Sequence, residues 1–134
     1  MSRRSTHLPV VGVLGIIRRD DRLLVIQRSQ NVKSPLAWCF PGGHLEPGET
    51  QAEALVREMR EELHIDVLPG EHLMTQTKHQ GRLVLHCWSA TIVGSEPVAN
   101  PREIAAVVWM TPQEIRQMAN ALTGTTEILD GIGL

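Results

Sequence analysis

Aromatic side chains are scarce in this sequence. Its 134 residues include no tyrosine, one phenylalanine and three tryptophans. Proteins that read single-stranded RNA usually stack bases on several aromatic rings, so this composition weakens that class of function. A core built from this chain must rely on valine, isoleucine, leucine, methionine and alanine instead.

The chain also lacks an excess of positive charge. Its 13 lysines and arginines are matched by 15 aspartates and glutamates, which gives a formal net charge of -2. Proteins that bind polymeric nucleic acid neutralise many phosphates with basic residues, so we do not expect DNA or RNA as a partner. A small phosphorylated ligand is compatible with this charge.

Cysteines and long apolar runs are likewise few. Cys39 and Cys87 form no CxxC pair, which argues against a zinc site or a disulfide framework and favours free thiols in a reducing cytoplasm. No run reaches the roughly 18 uncharged apolar residues that a membrane-spanning helix needs, so we expect no membrane insertion. The segment VVGVLGII therefore indicates a buried strand.

The length suits one domain, which we predict to span residues 1–134 with residues 1–7 as a loose N-terminal arm. β-Branched and aliphatic runs predict two antiparallel hairpins, one turning at the RRDD segment and one at Gln80-Gly81. Strands outnumber helices, which favours an α+β fold with a mixed sheet and helices on its faces. The predicted strands are 10–17, 22–27, 37–40, 72–79, 82–93 and 104–109.

Capping signals predict two helices. Thr50 is followed three residues later by Glu53, the spacing of a capping box, so a helix should run from about Gln51 to Leu63. A similar signal at Thr111 predicts a second helix that ends near Asn120. The apolar stripe of the first helix, which we expect to meet the sheet, comprises Ala52, Leu55, Val56, Met59 and Leu63.

Three carboxylates share one arc of the first helix. Glu58, Glu61 and Glu62 are three and four residues apart, and like charges at these spacings repel. The arc is either a solvated acidic face balanced by neighbouring arginines or a site for a cation. The preceding Gly42-Gly43 pair favours a cation site, because backbone without Cβ can approach a ligand closely. Since Mg²⁺ prefers carboxylate, water and phosphate oxygens, phosphate chemistry is the leading hypothesis.

The segment GGHLEPGETQAEALVREMREELHI, residues 42–65, resembles the box that defines the Nudix family, G-x5-E-x7-R-E-U-x-E-E-x-G-U with U aliphatic. One defined position departs, because His64 replaces the glycine that ends the helix in a left-handed conformation. We expect a stability cost of roughly 1 kcal/mol there. The flanking WCFPGG and Glu103 ahead of Trp109 are also similar to the family, so the resemblance covers nearly the whole chain. The matching residues are Gly43, Glu49, Arg57, Glu58, Met59, Glu61, Glu62 and Ile65.

The resemblance implies a three-layer α/β/α sandwich and a hydrolase of nucleoside diphosphates linked to another moiety, with Mg²⁺ or Mn²⁺ on the box helix. Glu58 is then either a metal ligand or the group that orients and deprotonates the attacking water. Glu49 and Arg57 are expected to form a pair that holds the loop against the helix, and Gly43 belongs to the same structural motif. The implied catalytic residues are Glu58, Glu61 and Glu62, and the implied metal ligands are Gly42, through its carbonyl, Glu58, Glu61, Glu62 and Glu103.

Four residues are candidates for contact with the substrate. Arg28 stands where MutT-type relatives place an arginine on the substrate, and Lys33 follows it in a loop, so both are phosphate candidates. For each of them the alternative is a solvated surface cation. His79 lies beside the second hairpin, where a lone histidine is more often structural. The amide of Asn120 is able to read a base edge, although this signal is weak.

Subgroup markers favour a MutT-like nucleoside triphosphate pyrophosphatase that releases nucleoside monophosphate and pyrophosphate. ADP-ribose-cleaving relatives tend to carry a proline where this chain has Gln80-Gly81, and dinucleoside-polyphosphate relatives tend to carry a tyrosine, which it lacks. Three alternatives remain: a hydrolase of ADP-ribose or another nucleotide conjugate, a non-catalytic Nudix-fold nucleotide sensor, and an isoprenoid diphosphate isomerase. The expected partner is a small nucleotide, and a homodimer remains possible.

Overall fold

A computed structural model describes residues 8–134, and the predicted arm at residues 1–7 lies outside the described residues. The described part of the chain folds into seven strands and three helices. In chain order they are β1 (Val10–Arg19), β2 (Arg22–Arg28), β3 (Trp38–Cys39), β4 (Gly42–His44), α1 (Gln51–Leu63), β5 (Asp66–Lys78), β6 (Leu83–Val93), β7 (Ile104–Met110), α2 (Pro112–Arg116) and α3 (Thr125–Gly131).

The strands form a mixed sheet, as predicted. Its main path has the order β3-β2-β1-β6-β5, with β4 paired to β1 and β7 paired to β2. β1 and β6 are parallel, in register from Val10 opposite Leu83 to Ile17 opposite Ala90. The other pairs are antiparallel.

The first predicted hairpin is correct only at its turn. β1 and β2 pair at Arg18 opposite Leu23 and at Arg19 opposite Arg22, and then separate. They separate because β1 continues against β6 and β4, whereas β2 continues against β7 and β3. The second hairpin, β5 with β6, is antiparallel along its length, but β5 begins at Asp66 and not at residue 72. Register shifts on both sides of His72 interrupt the alternation on which strand prediction depends.

Helices cover both faces of the sheet. On β2, Leu24 and Ile26 join the core beneath α1, whereas Leu23 and Val25 join the core beneath α2 and α3. This alternation along one strand divides the protein into three layers, so the expected α/β/α sandwich is confirmed. No helix in residues 8–134 is long and apolar enough to span a membrane.

Helix α1 has the predicted bounds. The Thr50 hydroxyl accepts a hydrogen bond from the Glu53 N–H at 3.1 Å, and the Glu53 carboxylate accepts one from the Thr50 N–H at 2.9 Å, so the capping box is present. The predicted stripe is only partly buried. Its fully buried members are Leu55, Met59 and Leu63, whereas Ala52 and Val56 are half-buried.

Two other elements differ from the prediction. Helix α2 ends at Arg116, well before Asn120, because residues beyond it pair with β3: the Trp38 N–H donates to the Asn120 carbonyl at 2.9 Å. The glycine-rich segment Gly42–His44, predicted as loop, forms strand β4 against β1. Its three residues carry no hydrophobic alternation, so the pairing with β1 is what makes them a strand.

His64 ends α1 in the left-handed conformation, as the box predicts. Its φ is 55° and its ψ is 35°. The His64 N–H donates to the Arg60 carbonyl at 3.1 Å, and the Ile65 N–H points to the Met59 carbonyl at 3.4 Å, so the chain leaves the helix through a left-handed cap. The histidine at this position therefore carries the steric cost of a Cβ at positive φ.

Replacing His64 with glycine is expected to stabilise the protein by up to about 1 kcal/mol, because glycine adopts positive φ without a Cβ clash. The measurement is denaturant or thermal unfolding, in which the melting temperature should rise by a few degrees. His64→Ala is the control, since it keeps the Cβ and should bring no gain. A lower melting temperature for His64→Gly would contradict this account of the helix end.

Candidate active site

Glu58 and Glu62 lie one turn apart on α1, and both are buried. Glu58 is 9% exposed and Glu62 is 8% exposed. The side chain of Glu61, between them in sequence, is 55% exposed. The acidic arc is therefore not a solvated face: two of its three carboxylates point into the protein.

Strand β4 brings the glycine pair against these carboxylates. The Gly42 N–H donates to Glu62 Oε1 at 3.0 Å. A Cβ placed on Gly43 would lie 2.5 Å from the Glu58 carboxylate, and one on Gly42 would lie 1.9 Å from the Val13 carbonyl oxygen. A side chain at position 42 would collide with the backbone of β1, and one at position 43 would displace the Glu58 carboxylate, so the glycines allow the backbone to meet the buried acids.

Arg57 connects the loop to the acidic helix. Its Nε and Nη2 donate to the two oxygens of Glu49 at 2.6 and 2.9 Å, so the predicted Glu49–Arg57 pair is present in bidentate form. Nη2 also donates to the His44 carbonyl at 2.9 Å. Nη1 donates to Glu58 Oε1 at 2.9 Å and to Glu61 Oε2 at 3.1 Å. These hydrogen bonds lower the pKa of Glu49 to about 2, chiefly because Arg57 stabilises its ionised form.

The connection between β6 and β7 caps α1 and carries Glu103. The backbone N–H groups of Val98 and Asn100 each donate at 2.8 Å, to the carbonyls of Leu63 and Glu62, and Asn100 Nδ2 donates to the Glu61 carbonyl at 3.2 Å. These carbonyls have no partner within the helix. Asn100 therefore acts as a positioning residue, although it is not among the predicted site residues. No local sequence pattern indicates this role, because the hydrogen bonds join residues almost forty positions apart in the sequence.

The acids, the glycines and Arg28 share one cavity of about 480 Å³. Helix α1 supplies three carboxylates and β4 supplies backbone. The end of β2, the start of β7 and the loops beside them supply the remaining wall. The site residues that line it are Arg28, Gly42, Gly43, Arg57, Glu58, Glu61, Glu62 and Glu103. Chain positions that are far apart in sequence thus form one acidic cleft.

Electrostatics in the cleft favour a bound cation. Burial, together with the charges of Glu58 and Glu103, raises the pKa of Glu62 to about 8. Burial also raises the pKa of Glu58, although the hydrogen bond from Arg57 opposes this effect. Buried carboxylates close to one another are costly unless positive charge compensates them. A divalent cation would supply that charge.

The donor set suits Mg²⁺ or Mn²⁺, because every candidate ligand is an oxygen. Among residues 8–134, however, no three histidine, cysteine, aspartate or glutamate side chains stand close enough together to hold one metal ion. Arg57 Nη1 donates instead to Glu58 Oε1 and Glu61 Oε2. Coordination by all three glutamates therefore requires the side chains to rearrange from these positions.

Of the four predicted substrate contacts, the structure brings one to the cleft. Arg28 lines it and donates through Nε to the Lys33 carbonyl at 2.6 Å. The side chains of Lys33, His79 and Asn120 are exposed, and none of the three lines the cleft. Their contact with substrate stays a prediction.

Both cysteines are free thiols, as predicted. Burial raises the pKa of Cys39 to about 11, even though Arg28 lies close by and opposes the shift. The thiol is therefore protonated at neutral pH, and it is a poor nucleophile in this form. Its position beside the glycine pair consequently adds no covalent chemistry to the site.

The NUDIX domain family model matches residues 6–129, so this chain belongs to the Nudix family. The curated relatives that it matches include proteins named as a pyrophosphohydrolase, a pyrophosphatase and a diphosphatase. The chain is 38% identical over 107 residues to a CTP pyrophosphohydrolase of Escherichia coli (strain K12), with 78% of each chain covered. It is 35% identical over 136 aligned positions to a MutT-like protein of Streptomyces ambofaciens, with 96% of this chain and 82% of the relative covered.

A solved structure agrees with this assignment. The fold matches the crystal structure of a MutT NUDIX hydrolase from Burkholderia pseudomallei with a TM-score of 0.82 and 26% sequence identity. The match covers 94% of this chain and 99% of the other.

Replacing Gly43 with alanine is expected to abolish nucleotide hydrolysis, because the new Cβ would lie 2.5 Å from the Glu58 carboxylate and displace it. The measurement is the turnover rate, with circular dichroism to verify the fold. Gly48→Ala in the same loop is the control: its Cβ meets no atom within 4 Å, so it should lose some stability at its positive φ but keep its activity. Near-normal turnover in Gly43→Ala would contradict the assigned geometry.

Proposed function

We propose that this protein hydrolyses nucleoside triphosphates to nucleoside monophosphate and pyrophosphate with the help of Mg²⁺ or Mn²⁺. The observation that carries the proposal is the single cleft in which Glu58, Glu61, Glu62 and Glu103 meet the glycine pair and Arg28. Carboxylates suit the cation, and an arginine suits the phosphate oxygens. The E. coli relative, named a CTP pyrophosphohydrolase, acts on a substrate of this class.

In this proposal Glu58, Glu61, Glu62, Glu103 and the Gly42 carbonyl hold the cation. When bound, the cation neutralises the pyrophosphate and lowers the pKa of a bound water. Glu58 is the candidate either for a ligand or for the base that orients the attacking water and accepts its proton, because it is buried and fixed from two sides, by Arg57 and by the adjacent Gly43. This arrangement places the glutamate before the substrate binds, which is what electrostatic preorganisation requires.

Arg28 is the proposed phosphate contact. It lines the cleft at the end of β2, and its guanidinium Nε is anchored to the Lys33 carbonyl. The anchoring bond uses one of the five guanidinium N–H donors, so the others can face phosphate oxygens.

Further proposals concern the chain as a whole: one domain, a cytoplasmic location and a homodimer.

Glu61→Gln and Glu62→Gln are each expected to lower Mg²⁺-dependent turnover by at least about a hundredfold, because each removes one anionic oxygen from the cation site. Turnover is measured against Mg²⁺ concentration, with circular dichroism to verify the fold. Glu53→Gln is the matched control on the same helix: glutamine also completes a capping box, and Glu53 lies outside the cleft. Activity near that of the parent protein at low Mg²⁺ in either variant would refute the ligand assignment.

Product analysis tests the reaction itself. With a nucleoside triphosphate and Mg²⁺, anion-exchange chromatography should resolve nucleoside monophosphate and pyrophosphate in equal amounts. Nucleoside diphosphate with orthophosphate would refute the proposed cleavage position. Activity confined to ADP-ribose or another conjugate would leave the family assignment intact and change the substrate. Absence of hydrolysis with every diphosphate-linked compound would favour a nucleotide sensor.

A further inference from the structure

A second cavity of about 180 Å³ adjoins the acidic cleft. The two share five lining residues, namely Ile26, Arg28, Gly42, Gly43 and His44. A ligand whose phosphates lie at the acids can therefore extend into the second cavity. An apolar cavity of about 150 Å³ in another protein binds benzene, so this one has room for a flat ring. We call it the ring cavity.

Most of the wall of the ring cavity is hydrocarbon. Strands β1 and β6, the segment after β3 and the region around α3 supply it. The apolar residues include Leu14, Phe40, Leu83, Leu85, Leu122 and Ile128. Against such a wall, a few fixed polar groups decide which ligand is accepted.

Gln76 on β5 is the most constrained of these polar groups. The residue is 6% exposed, and its Nε2 donates to the Gly124 carbonyl at 3.0 Å and to Glu127 Oε2 at 3.2 Å. Both partners can only accept hydrogen bonds, a carbonyl always and a carboxylate in its ionised form. They therefore fix which end of the amide is the nitrogen, with Nε2 toward the Gly124 carbonyl and the Glu127 carboxylate.

The oxygen of this amide, Oε1, has no hydrogen-bond donor in the described part of the chain. In the same part of the chain, residues 8–134, every side-chain nitrogen or oxygen that is fully buried has a hydrogen-bond partner. Because Oε1 has no partner, it is accessible to solvent or to a ligand. Gln76 is one of the residues that line the ring cavity. The cavity therefore contains a buried hydrogen-bond acceptor whose direction is set by the fold.

Thr125 adds a second polar atom to the same wall. It is 5% exposed and lines the ring cavity, and its hydroxyl has no hydrogen-bond partner in the described part of the chain. A hydroxyl can donate or accept, so it adapts to the ligand. Gln76 cannot adapt in this way, because turning its amide would place its oxygen against the Gly124 carbonyl and the Glu127 carboxylate.

We propose that Gln76 determines base specificity: it selects a nucleotide whose base carries an exocyclic amino group, which donates to Oε1. The inference rests on the proposed function. Cytosine and adenine present such an amino group, whereas uracil and hypoxanthine present a carbonyl oxygen at the same position. With the oxo bases, two acceptors would face each other inside the cavity, which is unfavourable.

Matched substrate pairs test the proposal. The protein should hydrolyse CTP with a kcat/KM about tenfold to a hundredfold above that for UTP, and the preference for ATP over ITP should be similar. Gln76→Met removes the acceptor but keeps the length of the side chain. In this variant the ratio should fall toward one, mainly through a higher KM for the amino-bearing substrate, with kcat retained. Gln113→Met, on the exposed surface of α2, is the control and should keep the parent ratio.

A merely structural role for Gln76 predicts a different result. Gln76→Met would then slow both members of each pair equally, and that outcome, or equal kcat/KM values within both pairs for the parent protein, would overturn the proposal. Since Gln76 also holds Gly124, Glu127→Ala serves as a second variant. It leaves the glutamine in place and removes one of the two acceptors that orient it, so the ratio should fall partway while the melting curve stays close to that of the parent.

Binding separates this inference from the proposed reaction. If triphosphates are not hydrolysed, titration calorimetry with CMP and UMP still reports the preference. Tighter binding of CMP that disappears in Gln76→Met would support base selection although the proposed function fails. Equal binding of the two monophosphates, or binding of neither, would overturn the inference.

Discussion

The guanidinium of Arg57 is the contact on which the site depends. It joins Glu49 in the loop and the His44 carbonyl at the end of β4 to Glu58 on the helix. A lysine has no planar fork and could not make these bonds together. They hold the loop that follows β4 against α1, and β4 in turn brings the glycine pair to the buried acids. The same arginine also compensates part of the negative charge that burial concentrates there.

Helix α1 is held at both ends, which gives its carboxylates fixed positions. A capping box satisfies its first turn, and the segment between β6 and β7 satisfies the carbonyls of its last turn. Two local features reduce the stability of this helix. His64 adopts a left-handed conformation, and the carboxylates of Glu58 and Glu62 are buried. Functional sites commonly break such local rules, and the surrounding structure compensates for the cost.

Arg28 lies where the two cavities meet, and its position has a structural cause. β2 pairs with β7 along its length, but the register shifts between Gln27 and Arg28. A bulge of this kind changes the direction in which a side chain points and is common beside active sites. One irregularity at the end of a strand thus places a cation between the acidic cleft and the ring cavity. Because the two cavities adjoin, one nucleotide would be long enough to place its phosphates at the acids and its base in the ring cavity.

Residues close in sequence determined much of this protein. The bounds of α1 and its capping box follow from short-range spacing, and the left-handed end at His64 and the Glu49–Arg57 pair follow from the resemblance to the family's box. One helix and its adjoining loop contain all the partners of these features. Tertiary structure decided the rest: the parallel pairing of β1 with β6, strand β4, the burial of Glu58 and Glu62, the approach of Glu103 and the direction of the Gln76 amide. Each of these depends on a partner far away along the chain, so burial and hydrogen bonding could specify it only after the sheet and its two helical layers had come together.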